Sequence, residues 1–188
     1  MTTPPVLNPI NPMRIGFSHA KGIMGLISRV VMFFTGAKAS HAWMLYWDTD
    51  FKMDMVMDAH ETGLRLISFE RFKQKNLIFE IYEPKVPIDA GLEAAGQWVG
   101  SPYDYEGFFG MVVVELGRWL KRKWKNPLRT SKMLFCSAWC LVAMQAAKYP
   151  GTEQFDLDGT DPWTLRNLLN KDGSKLWNWQ SQPASTST

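Results

Sequence analysis

Short apolar segments, one of them with regular alternation, predict a series of strands in the first half of the chain. "HAWMLYW" is a short apolar and aromatic segment, and "MDMVMDA" places a methionine at every second position. "LRLISF" and "LIFEIYE" have the same strand character, and the turn-forming segments "DTD", "ETG" and "KQKN" separate the four. We therefore expect strands over 41–47, 53–59, 64–69 and 77–83.

Apolar residues recur at three- and four-residue spacing on both sides of these strands, which predicts helices. The predicted helices cover 21–35, 88–99, 108–123 and 136–148. In "TDPWTLRNLLN", Asp161 is placed to cap a further helix whose first residue is Pro162. A helix, several antiparallel strands and then more helices predict an α+β fold.

The length of 188 residues fits one domain with a substantial core. We expect an extended leader over 1–13, the domain over 14–172 and a flexible tail over 173–188. "GFSHAKG", which contains His19, is expected to be a loop. The N-terminal segment lacks the apolar stretch of a signal peptide, and no apolar run reaches the ~18 residues that span a bilayer. These features predict a cytoplasmic protein that is not transmembrane, with association with a virion as the alternative.

Positive charge is concentrated between Leu116 and Thr152, a stretch with eight lysine and arginine residues and no acidic residue. One interpretation is contact with an anionic surface or a protein partner. The other is a solvated helix end, whose cations suit the negative end of the helix dipole. Nucleic acid is the less favoured partner, because only this run supports it. The densest cations are Arg118, Lys121, Arg122, Lys123 and Lys125.

Cys136 and Cys140 are the two cysteines, four residues apart in "LFCSAWCLVAMQ". On one helix their Cβ atoms would lie ~5–6 Å apart, beyond the ~3.5–4.5 Å of a disulfide, so we expect free thiols. Cys136 opens the predicted helix, where the positive end of the dipole favours a thiolate. Cys140 lies one turn deeper among apolar residues, which indicates core. Packing of both cysteines is the alternative interpretation.

A nucleophilic cysteine needs a base, and all three histidines, His19, His41 and His60, precede Cys136. His41 begins a predicted strand, where a strand end can present a side chain to a cleft. His60 and Asp58 lie two residues apart on the next strand and therefore on one face, from which either can contact an imidazole on the neighbouring strand. These spacings do not match a zinc site, and we expect no metal or cofactor.

Several segments in a fixed order resemble the NlpC-type cysteine peptidases. "GSPYDYEGFFG" and "FCSAWCLV" are similar to that family's G-x-P-Y and D-C-S-G-L-V patterns. Because no histidine follows Cys136, the chain resembles the circularly permuted, YiiX-like branch, in which a segment similar to "TGAKASH" brings the histidine first. "MDAHETGLRLISF" and "DPWTLRNLL" resemble two further segments of that branch, so the resemblance spans roughly residues 14–170.

The resemblance implies a permuted papain-like fold, in which a small antiparallel sheet or half-barrel packs against helices. It places Cys136 at the nucleophile, His41 at the general base and Asp58 at the residue that orients the base. His60 is the alternative orienting residue, because lecithin:retinol acyltransferase relatives use a second histidine. Tyr103 corresponds to the tyrosine of the family's P-Y motif, at the substrate site.

The expected function is cysteine-dependent hydrolysis of an amide bond, with peptidoglycan stem peptides as the first substrate class. Ser137 and Trp43 are further candidate substrate contacts. Two alternatives stay open: a lipid amidase or acyltransferase, and a non-catalytic binding module of an assembly such as a phage tail tip. The module is favoured by departures from the family pattern, such as Trp139 and Cys140 after the C-S pair.

Overall fold

The protein has an α+β fold, as predicted, with a six-stranded antiparallel sheet and four helices among the residues that can be described. The computed structural model describes residues 12–21, 39–60, 63–101, 136–157 and 160–177. Several predicted features lie outside these ranges: most of the helix over 21–35, Tyr103, the helix over 108–123 and the dense cations from Arg118 to Lys125.

The sheet is open and its strands follow the order β4-β3-β2-β1-β5-β6, with every neighbouring pair antiparallel. The four strands predicted between residues 41 and 83 are confirmed within a residue or two at each end. The strands are β1 (Arg14–Ala20), β2 (His41–Asp48), β3 (Met53–His60), β4 (Gly63–Ser68), β5 (Asn76–Glu83) and β6 (Lys175–Leu176).

Strand β2 lies in the middle of the sheet and is buried on both faces. Trp43 and Leu45 belong to a smaller core cluster on one face, whereas Ala42 and Met44 belong to the main core on the other. This explains why "HAWMLYW" is apolar at nearly every position instead of alternating, because a strand covered on both sides has no solvent face.

The described residues form four helices: α1 (Phe69–Lys75), α2 (Leu92–Gly96), α3 (Cys136–Ala146) and α4 (Pro162–Lys171). Helices α1 and α3 pack on the sheet, and α2 and α4 pack on α3. The cap predicted for α4 is confirmed, since the Asp161 side chain accepts hydrogen bonds from the backbone N–H groups of Trp163 and Thr164. The helix predicted over 88–99 is shorter, with a 3₁₀ turn at Asp89–Gly91 before α2.

Helix α1 was not predicted, because "KQKN" was interpreted as a turn between strands. Phe69 and Phe72 explain the helix: three residues apart on one helical face, both rings pack against the Trp43 indole, with ring centroids 5.7 and 4.7 Å away. The helix therefore depends on a tertiary contact that the local pattern does not contain.

Two terminal assignments are corrected by the sheet. His19 lies in β1 and not in a loop, because β1 pairs with both β2 and β5. Lys175 and Leu176, assigned to a flexible tail, pair with β5, and the Trp177 N–H donates to the Ile81 carbonyl. The ordered domain therefore extends past residue 172.

Gly16 and Trp43 form a close contact between β1 and β2. The two residues are directly opposite in register, and a Cβ atom at position 16 would overlap the indole ring. The indole Nε1–H donates to Ser18 Oγ at 3.1 Å, which fixes the ring over the glycine. None of the helices in the described ranges has the length and apolar character needed to cross a membrane.

Candidate active site

The side chains of His41 and Cys136 meet where β2 begins. His41 is the first residue of β2, and Cys136 is the first described residue of α3, which packs on β2. The two side chains lie close enough for each to shift the pKa of the other. The Cys136 Sγ atom also lies 4.0 Å from the Ser40 carbonyl oxygen, to which a protonated thiol donates. A thiol and an imidazole from segments far apart in the chain are therefore in contact.

Asp58 lies on the other side of the imidazole. In the β2–β3 register Asp58 is directly opposite Trp43, so it is diagonal to His41 on the same face of the sheet. Its Oδ2 atom is 3.4 Å from His41 Nε2. The structure thus brings together Cys136, His41 and Asp58, the three residues expected to act as a unit.

Arg65 is a fourth member of this group, and we did not predict it. It is directly opposite Asp58 in the β3–β4 register. Its Nε donates to Asp58 Oδ1 at 2.8 Å and its Nη2 donates to Asp58 Oδ2 at 3.2 Å. The sequence contained a signal for this pair. Asp58 and Arg65 have opposite charges and lie seven residues apart around the turn-forming "HETG", a spacing at which two residues of a hairpin can face each other.

The electrostatics of the site favour a thiolate next to a charged imidazole. Burial raises the pKa of Cys136, but the hydrogen bond and charge of His41 and the backbone N–H groups of Ala42 and Ser137 outweigh it and lower the pKa. Burial lowers the pKa of His41, but its hydrogen bonds to Asp58 and Cys136 and the negative charges of these groups raise it to about 10. The raised pKa of His41 keeps its ring protonated near neutral pH, and the protonated ring favours the thiolate form of Cys136.

The Asp58 carboxyl stays ionised although its side chain is only 3% exposed. Burial raises its pKa, but hydrogen bonds from His41 and Arg65 and their positive charges lower it below the usual value. Cys140 is the opposite case: burial and the nearby Cys136 raise its pKa well above the usual value of a thiol. Both cysteines are free and buried, yet only Cys136 has the surroundings of a nucleophile.

Two candidate substrate contacts are corrected. Trp43 is 0% exposed and packed between α1 and Gly16, so its indole is core and cannot contact a substrate in this conformation. Ser137 is also 0% exposed, and its hydroxyl donates to the Thr160 carbonyl at 2.6 Å, which ties α3 to the segment before α4. Ser137 acts on the thiol through its backbone N–H, which helps to lower the pKa of Cys136.

The other two histidines lie on the strands that neighbour β2 on either side. His60 is the last residue of β3, opposite Gly63, and is partly buried. His19 lies in β1, opposite Leu77 of β5. In the described ranges, no group of three or more His, Cys, Asp and Glu side chains is placed to hold a metal ion.

No family model, curated protein or solved structure matches this chain. The interpretation of the site therefore rests on its own geometry: a buried thiol, an imidazole between the thiol and a carboxylate, and an arginine that binds the carboxylate with two hydrogen bonds. Chemically, this arrangement supplies a nucleophile, a proton carrier and a group that holds the carrier in place.

Proposed function

We propose that the chain is a cysteine-dependent hydrolase that cleaves amide bonds through a covalent acyl-enzyme. The observation that carries the proposal is the His41 ring, which contacts the Cys136 thiol on one side and the Asp58 carboxylate on the other. The same arrangement supports a permuted papain-like fold, in which a helix that begins with the nucleophile packs on an antiparallel sheet that carries the base.

The first half of the reaction forms a thioester. In the resting ion pair His41 already holds the proton of Cys136, and the thiolate adds to the carbonyl carbon of the scissile amide. The backbone N–H of Cys136 is our candidate donor to the oxygen that becomes negative. As the C–N bond breaks, the imidazolium gives its proton to the leaving amine, and the acyl group stays on sulfur.

The second half removes the acyl group. Neutral His41 accepts a proton from a water molecule, which adds to the thioester carbonyl and releases the acid, and the sulfur recovers its starting state. Asp58 holds the ring with Nε2 toward the carboxylate and stabilises each imidazolium by its charge. Cys140 takes no part, because burial keeps it a neutral thiol.

Peptidoglycan stem peptides are the substrate class we propose first, because the segments that resemble NlpC-type enzymes point to them. The basic run that includes Arg118 and Lys121 suits an anionic cell-wall surface. Delivery on a virion, such as at a phage tail tip, is the route we propose for a protein of this kind to reach the wall.

An activated ester or thioester tests the reaction class without knowledge of the substrate. Incubation with a p-nitrophenyl ester should add one acyl group to Cys136, detected by intact mass and peptide mapping. The matched control is Cys140→Ala, which should acylate at the wild-type rate, while Cys136→Ala should not acylate. Purified peptidoglycan then tests the substrate class through released stem peptides. Absence of acylation in the wild-type protein would contradict the hydrolase and favour a non-catalytic binding module.

A further inference from the structure

We propose that Arg65 is a positioning residue of the site: it holds the Asp58 carboxylate in the one orientation that keeps Oδ2 toward His41. This inference rests on the proposed function. Its basis is the pair of hydrogen bonds from Arg65, Nε to Oδ1 at 2.8 Å and Nη2 to Oδ2 at 3.2 Å.

The geometry leaves the carboxylate little freedom to turn. Oδ1 is held by Arg65 Nε, and Oδ2 is shared between Arg65 Nη2 and His41 Nε2, at 3.2 and 3.4 Å. Two parallel N–H···O bonds from a planar guanidinium define the plane of the carboxylate as well as its distance. A lysine at position 65 offers the same charge as a single point and cannot define that plane.

Arg65 also balances the charge of the group. With the thiolate, the imidazolium, the carboxylate and the guanidinium all ionised, positive and negative charges are equal in number. Without Arg65, a buried carboxylate and a buried thiolate share one imidazolium. Loss of the guanidinium removes a positive charge, which makes every group of the site harder to deprotonate.

The surroundings of Asp58 contain few other titratable groups in the described ranges. β2 contributes His41, β3 contributes His60 two residues beyond Asp58, and α3 contributes Cys136. α1 contributes the Phe72 ring, which stacks on His41 with centroids 6.3 Å apart. The charges that act on the Asp58 carboxyl are those of His41 and Arg65.

A purely structural ion pair is the alternative, and the chain provides a matched control for it. Arg166 of α4 binds Glu80 of β5 with the same two-bond geometry, at 2.7 and 2.9 Å. Its side chain is 18% exposed, close to the 24% of Arg65. This pair is not among the contacts of His41 or Cys136, so its loss affects stability and not the reaction.

The experiment compares Arg65→Gln, Arg65→Lys and Arg166→Gln by the pH dependence of Cys136 alkylation with iodoacetamide and by the rate of ester turnover. Arg65→Gln should move the alkylation profile upward by about one pH unit. It should also lower turnover roughly tenfold to a hundredfold, because the imidazole is no longer fixed. Arg65→Lys should keep the wild-type profile but not the wild-type turnover. Arg166→Gln should change neither.

Unfolding in urea is measured for all variants, and if Arg65→Gln does not fold, the lysine variant carries the test. Wild-type profiles and turnover in both Arg65 variants would overturn the inference and leave the hydrolase standing. A wild-type protein whose Cys136 neither acylates nor alkylates faster than Cys140 overturns the proposed function, and the inference with it.

Discussion

His41 and Asp58 lie diagonally across two neighbouring strands, with Nε2 of the ring 3.4 Å from Oδ2 of the carboxylate. Cys136 belongs to the main core cluster, while Asp58 lies on the face that carries Trp43, so the imidazole is the group that joins the two. The orientation of the ring therefore determines whether thiol and carboxylate act together.

The two cysteines should react at very different rates. At pH 7 and limiting iodoacetamide, one thiol per chain should be alkylated quickly, and peptide mapping should place it at Cys136. The reason is that His41 lowers the pKa of Cys136, whereas burial raises that of Cys140. Cys140→Ala should keep the fast phase and Cys136→Ala should lose it. Equal, slow labelling of both thiols would falsify the assignment.

Replacing His41 by Gln should remove the low pKa of Cys136. In the wild-type protein, the thiolate–imidazolium pair should persist from the lowered pKa of Cys136 up to about pH 10, where His41 loses its proton. Turnover should therefore be bell-shaped in pH. In His41→Gln, alkylation should follow an ordinary or raised thiol pKa, and turnover should fall by roughly 10²–10⁴. A variant that kept the wild-type alkylation profile would show that another group activates the sulfur.

Asp58→Asn should lower stability in a pH-dependent way. The folded-state pKa of Asp58 is depressed, so its contribution is fully present above the unfolded value of about 3.9 and is lost as the pH falls through the folded value. In urea at pH 7 we expect a loss of about 1–3 kcal/mol, because the variant leaves Arg65 without its carboxylate partner. The difference from wild type should shrink below pH 4.

Glu70→Gln is the control for that measurement. Glu70 also pairs with a cation, Lys73, but its side chain is 81% exposed. Exposed pairs contribute little, so its effect should stay within about 0.5 kcal/mol. A cost for Asp58→Asn that stayed unchanged down to pH 3 would mean that the carboxyl is not held ionised by its partners.

Gly16→Ala should destabilise the fold, because the added methyl group overlaps the Trp43 indole. We expect a loss of about 1–3 kcal/mol in the free energy of unfolding. Gly96→Ala is the matched change: position 96 ends α2 with no heavy atom within 4 Å of the new Cβ, so it should be neutral or slightly stabilising. Similar costs for both changes would argue against the close contact of β1 and β2.

The parts of the fold that are encoded locally could be predicted from the sequence. Four strands follow from short apolar segments separated by turn residues, and the cap at Asp161 follows from side-chain chemistry within four residues. Helix α1 could not be predicted, because Phe69 and Phe72 pack against the indole of Trp43, which lies on a strand distant in sequence. The α+β class could therefore be predicted from the sequence, whereas the helix that packs on one face of the sheet could not.

The site shows the same division. In the sequence, His41 and His60 precede Cys136, and Asp58 lies on the strand predicted next to that of His41. The structure brings His41, Asp58 and Cys136 together. Trp43 was misassigned because its burial depends on α1 covering the second face of β2. The prediction for Ser137 was wrong because its hydroxyl donates to the carbonyl of Thr160, 23 residues later in the chain. The sequence around Ser137 does not show that this later segment packs against it.

Three of the four polar residues of the site come from one continuous meander, β2 to β4, while Cys136 comes from far along the chain, 96 residues from its contact at Ser40. Local hairpins form in microseconds, whereas contacts between distant segments form late. We therefore expect the imidazole and the carboxylate to assemble before the sulfur arrives, so that Cys136 has the reactivity of an ordinary thiol until α3 docks. Pulse alkylation during refolding should find fast Cys136 labelling only in the final phase, which makes the reactivity of this one sulfur a marker of completed folding.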